Sequence, residues 1–151
     1  MIARQQPAAA ITVILGPTDG SPCSDKAVSF AGSLARQLPA NVHVLFAAET
    51  RYAGLWYYHV LDDIIVDRIR KKGQSAADDS AEELRDLGVG AVEAHMEEWH
   101  PGEVIGRMTE KLHADLIVMG AHGHRWNQRN HIGSVAREVA NQSTVPLILV
   151  R

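Results

Sequence analysis

The sequence contains few of the residues and patterns that mark several common classes of protein. A single cysteine among 151 residues excludes a disulfide within the chain, which indicates a reducing compartment such as the cytoplasm. No apolar run reaches the roughly 18 residues of a membrane span, and the first ten residues lack the apolar core of a secretory signal. A net charge of −3 does not provide the basic face that nucleic-acid binding requires. We therefore expect a cytoplasmic protein with neither membrane insertion nor nucleic-acid binding.

The remaining composition is that of one ordinary globular domain. Hydrophobic residues make up 46% of the chain and charged residues 22%. Residues 1–10 precede any periodic pattern and contain Gln5, Gln6 and Pro7, so we expect a disordered tail there and a single domain over residues 11–151.

Strand and helix patterns alternate along this domain. Continuous apolar or alternating runs predict five strands, at 11–15, 41–48, 87–96, 114–120 and 145–150. Helical periodicity predicts a helix after each of the first four strands, the first beginning at the N-cap Ser21 and the second bent or loosely packed at Gly73. Such alternation is typical of a doubly wound α/β fold, with a parallel sheet between two helical layers.

The loops after the first and fourth strands carry the most distinctive chemistry. In a sheet of order 3-2-1-4-5 these strands are neighbours, and both loops face one crevice at the switch point. Glycines in the second loop let a ligand approach the backbone, and Gly123 at a positive φ turns amides towards an anion. Gly133 and Ser134 open the last helix, whose free N–H groups favour phosphate, while Asp19 provides an acceptor for a ribose hydroxyl. Phosphate and sugar together indicate a nucleotide.

The chain resembles the universal stress proteins of the single-domain, ATP-binding type. The family pattern G-2x-G-9x-G-(S/T) is matched by Gly120, Gly123, Gly133 and Ser134, and the segments "ILGPTDGS", "HADLIVMGAHG" and "GSVAREVANQSTVPLILV" are similar to the corresponding parts of the family. The resemblance extends over residues 11–151. It implies the five-stranded, Rossmann-like fold of order 3-2-1-4-5 that is shared with adenine-nucleotide alpha-hydrolases.

The resemblance also implies a binding site and partners. The positions that match the family's nucleotide-binding residues are Pro17, Thr18, Asp19, Ala47, Met119, Gly120, Gly123, His124, Gly133, Ser134 and Val135. Ala47 is smaller than the valine that the family often has against adenine. The implied ligand is ATP, AMP or ADP, with or without Mg²⁺. The implied partners are a second copy of the chain, paired through the strand at 145–150, and a regulated protein that the sequence does not identify.

Other interpretations of these residues remain open. The glycines and Asp19 also suit an ordinary turn, and Cys23 is interpreted as structural. Arg125 and Arg129 either approach the phosphates or form a solvated basic loop. The aromatic residues at 52 and 56–58 either cover the base or a partner site, or pack in the core at the start of the second helix. The histidines lack any recognised metal-binding spacing, so we expect no metal site.

Three functions are compatible with this pattern. The chain has no G-x-x-x-x-G-K-(S/T) loop and no acid evidently placed to activate water, so the sequence predicts no catalytic residues. The first hypothesis is a nucleotide-dependent regulatory module in the stress response. The alternatives are a slow ATP-hydrolysing or phosphotransfer enzyme that uses the same crevice, and an interaction module that binds no nucleotide.

Overall fold

A computed structural model describes residues 10–50, 59–124 and 131–151 of the chain. The interpretations of Arg125, Arg129 and the aromatic residues at 52 and 56–58, and the predicted tail except its last residue, lie outside the described residues.

The described residues form a parallel sheet with helices on both faces. The strands are β1 Val13–Thr18, β2 Asn41–Ala48, β3 Val92–Glu98, β4 Leu116–Gly120 and β5 Leu147–Val150. The helices are α1 Pro22–Gln37, α2 His59–Asp86, α3 Pro101–Lys111 and α4 Ser134–Gln142. All four strand pairings are parallel, and the order is β3-β2-β1-β4-β5. The doubly wound α/β fold and its strand order are confirmed.

Each face of the sheet has its own apolar core. Along β2, Val42 and Val44 belong to a cluster with α1 and α2, whereas Leu45 belongs to a cluster with α3 and α4. This division follows from the alternation of side chains along a strand. Burying one such side chain stabilises the folded protein by about 1.5–3 kcal/mol. Both helical layers are needed, because each covers the apolar side chains of one face of the sheet. None of the described helices combines the length and the apolar character that crossing a membrane requires.

The third strand begins later than the sequence predicts, because α2 closes with a specific turn. Gly88 has φ +84°, and its N–H donates to the Arg85 carbonyl while the Val89 N–H donates to the Leu84 carbonyl. These two bonds form a Schellman motif, which occupies the residues that were predicted to start the strand. The predicted start of the strand at residue 87 was therefore wrong, whereas its position at the edge of the sheet is confirmed.

Gly73 lies in a closely packed part of α2, where the sequence predicted a bend or loose packing. The helix runs through it without interruption from His59 to Asp86. A Cβ atom at Gly73 would lie 2.6 Å from Cδ1 of Phe46 and 3.3 Å from Cγ of Met96. The missing side chain therefore lets α2 lie close against β2 and β3.

The start of α1 is joined to two strands. The Cys23 thiol donates a hydrogen bond to the Val150 carbonyl at the end of β5, with the sulfur 3.2 Å from the oxygen. A Cβ atom at Gly120, at the end of β4, would lie 3.1 Å from the Cys23 carbonyl carbon. The structural interpretation of Cys23 agrees with this packing.

Candidate functional site

The loops after β1 and β4 meet, as the sequence predicted. The His124 backbone N–H donates to Asp19 Oδ2 at 3.3 Å, and His124 Nε2 donates to the Asp19 carbonyl oxygen at 3.0 Å. These contacts follow from the neighbouring positions of β1 and β4, because the carboxyl ends of parallel strands reach the same edge of the sheet. The predicted crevice is confirmed.

The crevice opens into a cavity of about 550 Å³, within the size range of small-molecule sites. It is lined by all eleven of the predicted binding residues, namely Pro17, Thr18, Asp19, Ala47, Met119, Gly120, Gly123, His124, Gly133, Ser134 and Val135. The structure thus brings together residues from β1, β2, β4 and α4 that are widely separated in the sequence. Their role in binding remains a prediction.

A network of short polar side chains fixes the turn that carries Asp19. Thr18 Oγ1 and Ser24 Oγ are 3.1 Å apart, and the Ser24 hydroxyl donates to the Ser21 carbonyl at 2.8 Å. Ser21 caps α1 as predicted, since its Oγ accepts the Ser24 N–H at 3.3 Å. Buried hydroxyls need such partners. The network holds the Asp19 carboxylate at the cavity wall.

The environment of Asp19 keeps its carboxylate ionised. Burial raises the pKa, but hydrogen bonds from Ser21 and Ser24 and the proximity of His124 outweigh it, so that the pKa of Asp19 lies below its ordinary value. Asp19 Oδ1 accepts the Ser21 N–H at 3.0 Å. A carboxylate with two oxygens has lone pairs left for a hydroxyl group, as the ribose role requires.

The amino end of α4 forms part of the cavity wall. Gly133 is its N-cap residue and provides no side-chain cap, and Ser134 and Val135 form its first turn. The first N–H groups of a helix need acceptors from outside it, and the helix dipole favours a negative charge there. The structure therefore presents an uncapped helix end to the cavity.

Two glycines of the loop differ from their predicted roles. The Gly133 N–H donates to the Ala121 carbonyl at 2.7 Å, so this predicted donor is already engaged. Among the described glycines, a positive φ occurs at Gly20 and Gly88 and not at Gly123. Gly123 is instead needed for space, because a Cβ atom there would lie 2.5 Å from Asp19 Oδ2.

One further contact joins the two described ends of the loop. His122 Nδ1 donates to the His131 carbonyl at 2.8 Å, across nine positions of sequence. His122 also lines the cavity. This hydrogen bond holds the start of α4 next to the end of β4.

The sequence analysis did not identify a polar cluster at another part of the cavity wall. His100 Nδ1 is 3.1 Å from Glu49 Oε2, and His100 Nε2 is 2.7 Å from Glu138 Oε2. Gly102 makes room for Glu138, because a Cβ atom there would lie 2.5 Å from its Oε1. Glu49 and His100 line the cavity, Glu49 directly after β2 and His100 two residues after the end of β3. Their position after strand ends was the signal that would have revealed them.

Among the described residues, further apolar side chains and Lys72 also line the cavity. Ile69 and Lys72 of α2 line the cavity together with Phe46, Pro101 and Ile105. Such a mixture of an apolar surface with a few polar groups suits a flat heterocycle attached to a sugar phosphate.

Comparison with known proteins gives the same family over nearly the whole chain. The universal stress protein family profile matches residues 11–151. Universal stress protein MJ0531 of Methanocaldococcus jannaschii is 30% identical over 144 residues, which cover 91% of this chain and 81% of that protein.

Solved structures of the family share the fold. Universal stress protein UspA from Lactobacillus plantarum has a TM-score of 0.80 at 22% identity, with 95% of this chain and 99% of that chain covered. A universal stress protein in complex with cAMP has a TM-score of 0.69 at 22% identity, with 95% and 98% covered.

Proposed function

Since the chain belongs to the universal stress protein family, we propose that it binds an adenine nucleotide in the crevice and acts as a cytoplasmic, nucleotide-dependent regulatory module in the stress response. One observation carries the proposal: the eleven residues that match the family's binding positions all line a single cavity. The complex of a related universal stress protein with cAMP supports the choice of an adenine nucleotide.

The proposal gives each part of the nucleotide a position in the cavity. The phosphates lie at the amino end of α4, where Ser134 and Val135 provide amides and Ser134 a hydroxyl. The ribose lies at Asp19, whose ionised carboxylate accepts hydrogen bonds. The base lies against the apolar wall near Ala47 and Ile105. ATP is the proposed ligand, with Mg²⁺ on its phosphates, and AMP and ADP fit the same arrangement with fewer phosphates.

The first experiment combines mass spectrometry of small molecules released from the purified protein with calorimetric titration of ATP, with and without Mg²⁺. Gly123→Val is the test variant, because its side chain would meet the Asp19 carboxylate and close the crevice. Gly90→Val is the matched control, since a Cβ atom at Gly90 meets nothing within 4 Å. We expect saturable binding in the parent and in the control and its loss in Gly123→Val.

The possible outcomes distinguish nucleotide binding by the protein from binding at the proposed site. Absence of ATP, ADP, AMP and cAMP binding in the parent protein contradicts nucleotide binding and favours the interaction module. Unchanged ATP binding in Gly123→Val contradicts the proposed site but not the proposed function. Far-ultraviolet circular dichroism of both variants checks that the fold is kept.

A second candidate is nucleotide hydrolysis in the same cavity. The observation that favours it is His100, an imidazole held between the carboxylates of Glu49 and Glu138, since such an arrangement suits general acid–base chemistry. Multiple turnover of ATP that is lost in His100→Gln, at unchanged ATP affinity, would support it. Turnover below one ATP per chain over hours would contradict it.

We also propose that two copies of the chain pair through β5. This strand lies at the edge of the sheet, and its four residues are only partly buried. The Pro146 carbonyl accepts the Ile117 N–H of β4, and the Val150 carbonyl accepts the N–H of Ala121, just after β4. The alternate residues Leu147 and Leu149 therefore point their backbone groups away from β4. An exposed apolar edge of this kind invites pairing.

Sedimentation equilibrium tests this pairing. Leu149→Pro removes an outward N–H group, and we expect it to shift a dimer towards monomer while ATP binding is kept. A parent protein that is monomeric at about 100 μM would contradict the proposal.

A further inference from the structure

Three potential metal ligands that are not among the residues lining the cavity meet on β2 and β3. His43 is paired with Glu93 in the parallel register, and His95 lies two residues further along β3, on the same face as Glu93. This face is the one covered by α3, since Glu97, two residues beyond His95, contacts Lys111 of that helix. The cluster of His43, Glu93 and His95 contributes no residue to the cavity wall.

The ligand atoms of this cluster converge. His43 Nδ1 is 2.9 Å from His95 Nε2, and Glu93 Oε2 is 3.7 Å from the first nitrogen and 3.8 Å from the second. Ligands of a tetrahedral zinc ion with bonds of about 2.0–2.1 Å lie roughly 3.3–3.5 Å apart. Shifts of about half an ångström, within the reach of side-chain rotation, would bring all three atoms to that spacing.

We infer that His43, Glu93 and His95 form a binding site for a late first-row divalent cation of the Zn²⁺ type. Two imidazoles and one carboxylate are a donor set that zinc accepts, and two nitrogen donors disfavour Mg²⁺ and Ca²⁺. The fourth position faces solvent, because the Glu93 side chain is 70% exposed whereas that of His43 is 11% exposed. The site is therefore open to a water molecule or an exogenous ligand.

Metal binding requires a lone pair on each of the two facing nitrogens of His43 and His95. Neutral imidazoles bind metals through their lone pairs. The contact at 2.9 Å is a hydrogen bond that uses one proton between the two nitrogens, so metal binding requires that proton to occupy the other nitrogen of its ring. The Lys111 ammonium lies 3.6 Å from Glu97 on the same face, and its positive charge disfavours a cation bound nearby.

The test is calorimetric titration of the full chain with ZnCl₂, after removal of nucleotide, chelatable metal and any histidine tag. Glu93→Gln is the decisive variant, because this exposed side chain contributes little to the fold, and His95→Asn is the second. Glu97→Gln is the matched control on the same face of β3, and a His122→Ala/His131→Ala variant removes two histidines of the α4 loop. The visible spectrum with Co²⁺ replacing Zn²⁺ distinguishes four-coordinate from six-coordinate binding.

We expect one Zn²⁺ per chain, with the dissociation constant raised at least tenfold in Glu93→Gln and in His95→Asn and changed less than about twofold in Glu97→Gln. Absence of Zn²⁺ binding in the parent overturns the inference. The inference is also overturned if Glu93→Gln binds Zn²⁺ with the parent's affinity. It is overturned as well if only the His122→Ala/His131→Ala variant loses Zn²⁺ binding. These results do not depend on nucleotide binding, so either proposal can fail without the other.

Discussion

Asp19→Asn is the substitution that most directly tests how the β1–α1 turn is held. Asp19 Oδ1 accepts the Ser21 N–H at 3.0 Å, and Oδ2 accepts the His124 N–H at 3.3 Å. An asparagine has one oxygen and one NH₂ group in place of the two oxygens. Whichever way the amide is turned, one of the two backbone N–H groups then faces a donor and loses its acceptor.

The cost follows from these contacts. A hydrogen bond to a charged group contributes about 1.5–3 kcal/mol, and the partial exposure of this site places the loss near the lower end, at about 1.5–2 kcal/mol. For a protein of this size that corresponds to a decrease of roughly 3–8 °C in the melting temperature.

The dependence on pH provides a second, independent test. The folded pKa of Asp19 is depressed, so its stabilisation is fully present above the unfolded value of about 3.9 and is lost as pH falls through the folded value. The difference in unfolding free energy between parent and variant should therefore be constant from about pH 5 to pH 7 and smaller at about pH 3.

Urea denaturation of both proteins at pH 7, 5 and 3 measures these differences. Equal stability of parent and variant at pH 7 would refute the role of the two hydrogen bonds. A difference that stays the same down to pH 3 would refute the attribution to the ionised carboxylate.

Further predictions concern the packing of glycines and the start of the sheet. Gly73→Ala should destabilise the protein by about 1–3 kcal/mol, because the added Cβ atom meets Phe46. Gly106→Ala should stabilise it by about 0.5–1 kcal/mol, because a Cβ atom there meets nothing within 4 Å and alanine favours the helix α3. Thermal unfolding measures both, and changes in melting temperature of the same sign in the two variants would contradict the predictions. Asp115 Oδ2 accepts the N–H groups of Thr12 and Val13 at 2.9 and 3.0 Å. In this exposed position Asp115→Ala should cost about 1 kcal/mol at pH 7 in urea denaturation, and a loss below about 0.3 kcal/mol would contradict it.

The fold was predictable because its signals are local and repeated. The apolar run of β2 and the capping serine with its following proline at α1 each specify one element, and their alternation specifies the layers. The exact beginning of β3 was not predictable from apolar pattern alone. There the conformation of Gly88 decides where the helix ends, and the apolar residues that follow it serve the Schellman motif before the strand starts.

The candidate site was predictable only in part, for a related reason. Glycine spacing indicates where a backbone approaches a ligand, but not how the space is used: Gly123 accommodates the Asp19 carboxylate, and the Gly133 N–H is engaged by Ala121. Contacts that depend on sheet register produce no recognisable pattern in the local sequence. His43 and His95 are 52 positions apart, and only the pairing of β2 with β3 places them together.

The hydrogen bond from Cys23 to Val150 has a practical consequence for following the protein in solution. The chain carries one thiol, so a probe attached there labels a unique position without mutagenesis. That position touches the last residue of the edge strand on one side and the end of β4, where the cavity begins, on the other. A fluorophore or nitroxide on Cys23 would thus report both on ligand binding in the cavity and on self-association through the edge strand.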